Sequence, residues 1–410
     1  MDALHSLRET YVAMAEPSVE APARERRAAA KAFIQSGVRR IALTDFRSYV
    51  SLDLPINARL VVLTGENGAG KTNFLEALSL LAPGRGLRRA ELGDFARNGG
   101  RGGFAVSVEL ETQMGSVQLG TGIEPPTDAL AHRKYRIDRE PAPSIRAFCN
   151  HVRVVWLTPA MDGLFAGPAG ERRRFLDRLV LSIDADHAAR VNALERALRG
   201  RNRLLEEGPS ADRGWLDAIE EEIAELAIAI SAARIETVSR LSTLIFETRD
   251  KDSPFPWADL AVQGDVENLV ANRPALEAED IYRGILRDNR CRDAAAKRTL
   301  IGPHASDLCV RHGPKQAGAA QASTGEQKAL LAGLVLAHAR LVLAMSGLAP
   351  LVLLDEIAAH FDPVRRDALF EGVQSLEGQI WLSGADRAMF AALENRALML
   401  KVVPGAIEAG

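Results

Sequence analysis

The fold turns on one stretch: Leu60-Val61-Val62-Leu63-Thr64-Gly65-Glu66-Asn67-Gly68-Ala69-Gly70-Lys71-Thr72. Residues 60–64 are apolar without alternation, as in a short strand covered on both faces. Residues 65–72 then fit G-x-x-x-x-G-K-[ST], and an apolar-periodic helix is predicted from Asn73 to Leu81. Strand, glycine-rich turn and helix in that order form a phosphate-binding loop. The glycines permit backbone angles closed to other residues, so the N–H groups turn inward at the positive end of a helix. Gly65, Glu66, Asn67, Gly68, Ala69, Gly70 and Lys71 are the expected phosphate contacts, with Lys71 reaching the outer phosphates and Thr72 a divalent metal. A chance glycine-rich turn is the plain alternative, and the flanking strand and helix argue against it.

A second apolar run, Leu351-Val352-Leu353-Leu354, ends in Asp355-Glu356. In a parallel sheet it ends at the edge where ligands sit. Asp355 is then expected to hold the metal, and Glu356 to polarise an attacking water. Upstream, Ser323-Thr324-Gly325-Glu326-Gln327-Lys328 opens a long apolar helix. Ser323 and Gly325 at a helix N-terminus make a second phosphate site. Ser323 is also a candidate catalytic contact, one that a second chain in head-to-tail apposition brings onto the first loop. A simple N-cap, with Glu326 closing it, is the other reading of the same residues.

These segments together resemble the ABC ATPases. Ser323 to Lys328 is similar to the ABC signature, with Thr324 where glycine is frequent. Asp362, in Ala358-Ala359-His360-Phe361-Asp362-Pro363, looks like the D-loop that crosses the dimer interface. The transporter H-loop histidine has no counterpart in Ser383-Gly384-Ala385-Asp386, and no Q-loop glutamine is assigned.

About 250 residues separate Thr72 from Ser323, more than in transporter subunits and fewer than in SMC proteins. That spacing resembles the RecF family. So do Leu43-Thr44-Asp45-Phe46-Arg47-Ser48-Tyr49, Gly170-Glu171-Arg172-Arg173-Arg174-Phe175-Leu176-Asp177, and Thr299-Leu300-Ile301-Gly302-Pro303-His304-Ala305-Ser306-Asp307-Leu308, in which Ser306 replaces an acid.

The resemblance implies an α/β, ABC-type P-loop ATPase head with an inserted helical lobe, a short helical arm. It implies ATP and Mg²⁺ as cofactors, slow hydrolysis used as a switch, and an ATP-dependent homodimer. It also implies binding at DNA gaps and double-strand to single-strand junctions, with RecR and RecO helping to load RecA in repair and the SOS response. Arg47 is a candidate nucleotide contact, or else packs at its strand end. The competing readings are an ABC subunit serving a transporter-like or an SMC-like machine.

The bulk properties frame these readings. The chain has 410 residues, 47% of them hydrophobic and 26% charged, with a formal net charge of −3. DNA binding must therefore come from local basic patches. Arg85, Arg88 and Arg89, which follow the phosphate-loop helix, are the favoured contacts. Arg133, Lys134, Arg136 and Arg139, and Arg196, Arg199, Arg201 and Arg203 on the arm, are further clusters.

Three scattered cysteines indicate neither a disulfide framework nor a zinc site. No signal peptide is read at the start of the chain. The longest apolar run, Ala329 to Ala344, is broken by His338 and Arg340 and falls short of the roughly 20 residues of a span. A cytoplasmic protein without a membrane partner is expected. The divisions are residues 1–36, a loosely ordered extension; 37–158, the first ATPase lobe; 159–298, the helical lobe with a short seam through Leu216, Ile219, Ile223, Leu226 and Ile230; and 299–410, which completes the head.

Overall fold

The computed structural model describes residues 37–112, 115–125, 132–208, 212–249 and 253–410. The extension read at residues 1–36 lies outside them. The described chain opens with β1 (Gly37–Phe46), β2 (Tyr49–Pro55) and β3 (Leu60–Thr64), then α1 (Lys71–Ser79). Next come β4 (Phe104–Thr112), β5 (Gly115–Ile123), β6 (Lys134–Ile137), β7 (Glu140–Pro141) and β8 (Val154–Leu157). The helical middle is α2 (Ala169–Leu181), α3 (His187–Glu206) and α4 (Arg213–Thr248), followed by β9 (Ala258–Gln263), α5 (Asp265–Asn272), α6 (Ala275–Asp288) and α7 (Arg290–Ala296). The last part holds β10 (Asp307–His312), β11 (Ala317–Gly318), α8 (Thr324–Ser346), β12 (Leu351–Leu354), α9 (Pro363–Gln374), β13 (Ile380–Gly384), β14 (Leu398–Val403) and β15 (Ala406–Ala409).

Two six-stranded sheets carry the head. One is antiparallel, ordered β2-β1-β4-β5-β6-β7; the other is ordered β15-β14-β3-β13-β12-β8 and is parallel except for β15. The apolar run at residues 60–64 is fully buried, as its lack of alternation predicts. Leu60 and Val62 face the core shared with α8, while Val61 and Leu63 face the core shared with α1 and the antiparallel sheet. Strand β4 alternates, buried at Phe104, Val106, Val108 and Leu110, because only one of its faces is covered. A third sheet, β11-β10-β9, was not foreseen. Its strands are short and follow a proline-containing break, so their period is hard to read.

Helix α8 corrects an expectation. By length and hydropathy Thr324–Ser346 does qualify as a membrane span, although Ala329 to Ala344 was read as too short and interrupted. Two-thirds of its most apolar window, 67%, is buried inside the protein. His338 is buried there and pairs through Nε2 with the carbonyl of Leu179 at 3.0 Å. Burial lowers its pKa to about 4, so the ring stays neutral in the core. The helix is apolar all round because the core surrounds it.

The seam on α4 is broader than the sequence suggested. Leu216, Ile223 and Ile230 are buried, but Glu220 and Arg234 are buried on the same helix. Arg201 is a second correction. It was grouped with exposed arm arginines, yet it is fully buried and bonded to Glu220, Asp293, Thr299 and the Leu286 carbonyl. Arg133, read in a basic patch, instead turns inward to the Leu80 and Gly84 carbonyls and the Thr121 hydroxyl.

Candidate functional site

The phosphate loop joins β3 to α1 at the carboxyl edge of the parallel sheet. Gly65 has φ 153°, and a Cβ there would stand 2.3 Å from the Val402 carbonyl oxygen. Only glycine lets the loop turn this close beneath β14. Gly70 has φ 118° and a Cβ would press on the Ser48 and Tyr49 hydroxyls. The Tyr49 hydroxyl donates to the Gly70 carbonyl at 3.1 Å, so the β1–β2 turn braces the loop from outside.

Lys71 is buried, and its Nζ donates to the carbonyls of Gly65 (2.7 Å) and Glu66 (3.1 Å). The same ammonium lies 3.1 Å from Glu356 Oε1. Thr72 Oγ1 donates to Asp355 Oδ2 at 2.8 Å. Two segments 283 residues apart in sequence thus meet at one edge. A threonine hydroxyl on a carboxylate is a set of hard oxygen donors, and it suits Mg²⁺.

Strand β12 does not abut β3, because β13 lies between them. Ser383, at the end of β13, bridges the gap. Its Oγ donates to Asp355 Oδ1 at 2.6 Å and accepts from the Glu356 N–H at 3.0 Å. Both Asp355 oxygens are therefore fixed by hydroxyls. Glu356 adopts a left-handed φ of 51°, which turns the chain sharply after the strand. The expectation at Ser383–Asp386 concerns only the missing histidine and gives this serine no role. Its signal lies in strand order alone: a strand between two ligand-bearing strands ends at the same edge.

The remaining predicted residues stand elsewhere. Ser323 caps α8, and Glu326 Oε2 accepts from both its backbone N–H and its hydroxyl at 3.0 Å. Lys315 and the Ser323 backbone hold the Glu326 carboxyl down at about 2. Asp362 caps α9, accepting from the Arg365 N–H at 3.0 Å. A Cβ on Gly325 would sit 3.4 Å from an Arg365 guanidinium nitrogen, which places the predicted signature beside the predicted D-loop helix.

Arg47 forks onto buried Glu76 of α1 at 2.8 and 3.1 Å and donates to the Asp94 carbonyl. Arg88 joins the same carboxylate at 3.0 Å and Asn73 at 2.7 Å. Arg47 and Arg88 thus brace the far side of the phosphate-loop helix; Arg85, Arg88 and Arg89 are all exposed, Arg88 alone of the three being tied to Glu76.

Residues 37–406 match the RecF/RecN/SMC N terminal domain family. A DNA replication and repair protein RecF from Rhizobium rhizogenes is 53% identical over 370 residues, 90% of this chain and 98% of the relative. This chain belongs to the RecF family. The RecF of Agrobacterium fabrum is 52% identical over 371 residues, again 90% and 98% of the two chains. Among solved structures, the recombination mediator protein RecF-ATPrS in the RecFOR pathway superposes with a TM-score of 0.80 at 17% identity, covering 91% of this chain and 98% of that one. An Smc head bound to the C-winged helix domain of ScpA gives 0.51 at 15% identity, over 91% and 96%. These structural likenesses establish the ABC/SMC-type α/β head of this RecF-family chain.

Proposed function

We propose that this RecF-family chain binds ATP and Mg²⁺ in the loop of residues 65–72 and uses the nucleotide to bridge two copies of itself at DNA. The observation that carries the reading is the double meeting at the sheet edge, Thr72 with Asp355 and Lys71 with Glu356. Thr72 and Asp355 would hold the metal, which supplies charge neutralisation at the outer phosphates. Lys71 exchanges its Glu356 partner for phosphate oxygens. The Glu356 carboxylate is then free to accept a hydrogen bond from an attacking water. Ser383 keeps Asp355 and the Glu356 backbone fixed while this happens.

In the same proposal Ser323, Gly325 and Asp362 of one copy close over the nucleotide of the other. Residues 37–158 and 299–410 form the head, and 159–298 the arm. The chain acts at gaps and double-strand to single-strand junctions, with RecR and RecO, to help load RecA and support the SOS response. The support is family membership together with the site geometry. Arg85 and Arg89 are the candidate DNA contacts, since Arg88 is drawn onto Glu76.

Sedimentation of wild type and Lys71→Ala, with and without ATP and gapped DNA, tests the reading. ATP is expected to convert wild type to a dimer that stays on gapped DNA, and the variant is expected to remain monomeric. A wild-type chain indifferent to nucleotide removes the switch.

A further inference from the structure

At the amino edge of the parallel sheet, Ala82 and Pro83 beyond α1, the entry into β8 and the end of α2 enclose a small cleft. Strand β8 runs parallel to β12, and its far end, at Leu157, accepts from the Asp355 N–H. The cleft therefore lies about four strand residues, roughly 13 Å, from the predicted metal ligand. It is separate from the phosphate loop.

The polar groups that line this cleft include unmatched donors. Nε and Nη1 of Arg153 and Nε1 of Trp156 are sealed from solvent and have no hydrogen-bond partner. Arg178 lies over the rings of Trp156 (5.0 Å) and Phe175 (5.1 Å), and its guanidinium reaches the Met161 sulfur at 3.1 Å. Among the described residues neither Arg153 nor Arg178 forms an ion pair. Burial lowers Arg178 to about 9, and the charge of Arg89 pushes the same way. The charges of Arg174 and Arg85 in turn reach Arg89. Cys149 also lines the cleft and hydrogen-bonds the Arg153 side chain, but burial outweighs that contact and pushes its thiol up, so it supplies no counter-charge.

Two cationic side chains and an indole N–H converge with only the sulfurs of Met161 and Cys149 as acceptors, and an oxyanion is their chemical complement. The interior space is about 10 Å³, room for one water-sized group. One oxygen of a larger oxyanion would enter, and the rest of the group would stay at the mouth, within reach of the charge of Arg89. We propose that this cleft is a phosphate site, seating one phosphate oxygen among Arg178, Arg153 and the Trp156 indole. The phosphate comes either from a nucleic-acid backbone or from free inorganic phosphate.

The test uses the full chain carrying Lys71→Ala, so that the loop contributes nothing. Inorganic phosphate is titrated against chloride at constant ionic strength, following melting temperature and tryptophan fluorescence. Phosphate is expected to raise the melting temperature by about 3 °C at saturation. Adding Arg178→Gln, or Arg153→Gln should the first fail to fold, is expected to abolish the rise. Trp156→Phe is expected to remove the fluorescence change. A parent that melts identically in phosphate and chloride, or variants that keep the full rise, would overturn the site.

A second arm titrates a short DNA duplex. A loss of about fivefold in affinity with Arg178→Gln, with a shallower salt dependence, identifies the backbone as the source. Duplex binding that ignores the substitution, beside a phosphate response that does not, identifies free phosphate.

Discussion

Arg201 in the helical lobe is sealed from water and Arg178 beside the sheet is largely so, with opposite surroundings. Around Arg201 the lobe supplies Glu220 at 2.9 Å, Asp293 at 2.7 Å, the Thr299 hydroxyl at 2.8 Å and the Leu286 carbonyl at 2.7 Å. Around Arg178 stand two aromatic rings and a thioether. Burying a charge costs several kcal/mol, offset only where partners replace the lost water. A saturated arginine therefore ties elements together: this one joins α3, α4, α6 and α7. An unsaturated one remains in demand of a partner from outside the chain.

The contrast sets an order of expected effects. Arg201→Met removes the guanidinium from Asp293 and leaves Glu220 with Arg290 alone. It is expected to cost about 3–5 kcal/mol in urea unfolding; a loss under about 1 kcal/mol would show that the hub does not tie the lobe. Glu326 is an intermediate case, half-buried and held at about 2 by Lys315 and the Ser323 backbone. Its folded pKa lies below the ordinary 4.5, so its stabilisation is full above that pH and is lost as pH falls from 4.5 toward 2. Solvent screening keeps its worth near 1 kcal/mol. Glu326→Gln should lower neutral-pH stability by that amount and flatten the acid limb, and an unchanged limb would sharpen the contrast toward Arg201 alone. The smallest effect is expected for Arg178→Gln in phosphate-free buffer: within about 1 kcal/mol of wild type, in either direction, because it removes an unpaired charge. A loss as large as that of Arg201→Met would erase the distinction.

The sequence made the phosphate loop, the Asp355-Glu356 strand and the cap at Ser323 legible, because each is written in consecutive residues with a fixed period. What it concealed depended on strand order and on burial. Ser383 became visible only when β13 was found between β3 and β12, an adjacency that no local pattern encodes. Arg201 and Arg133 look like their exposed neighbours in a string of arginines, and only the packing of α3 against α4 and α7, or of the loop after α1, separates them. Helix α8 shows the converse: composition alone fits a membrane, and its surroundings decide otherwise.

The order of strands also bears on how the chain is made. Strand β3 is flanked by β13 and β14, and the Val38 N–H at the start of β1 bonds to Gln379, 341 residues later. During synthesis the loop that follows β3 leaves the ribosome with neither neighbour of its strand yet translated. The run at residues 60–64 must wait, both edges bare, until nearly the whole chain has emerged. Early termination anywhere before β13 would leave a naked, sticky strand, and a nucleotide pocket could not begin to assemble.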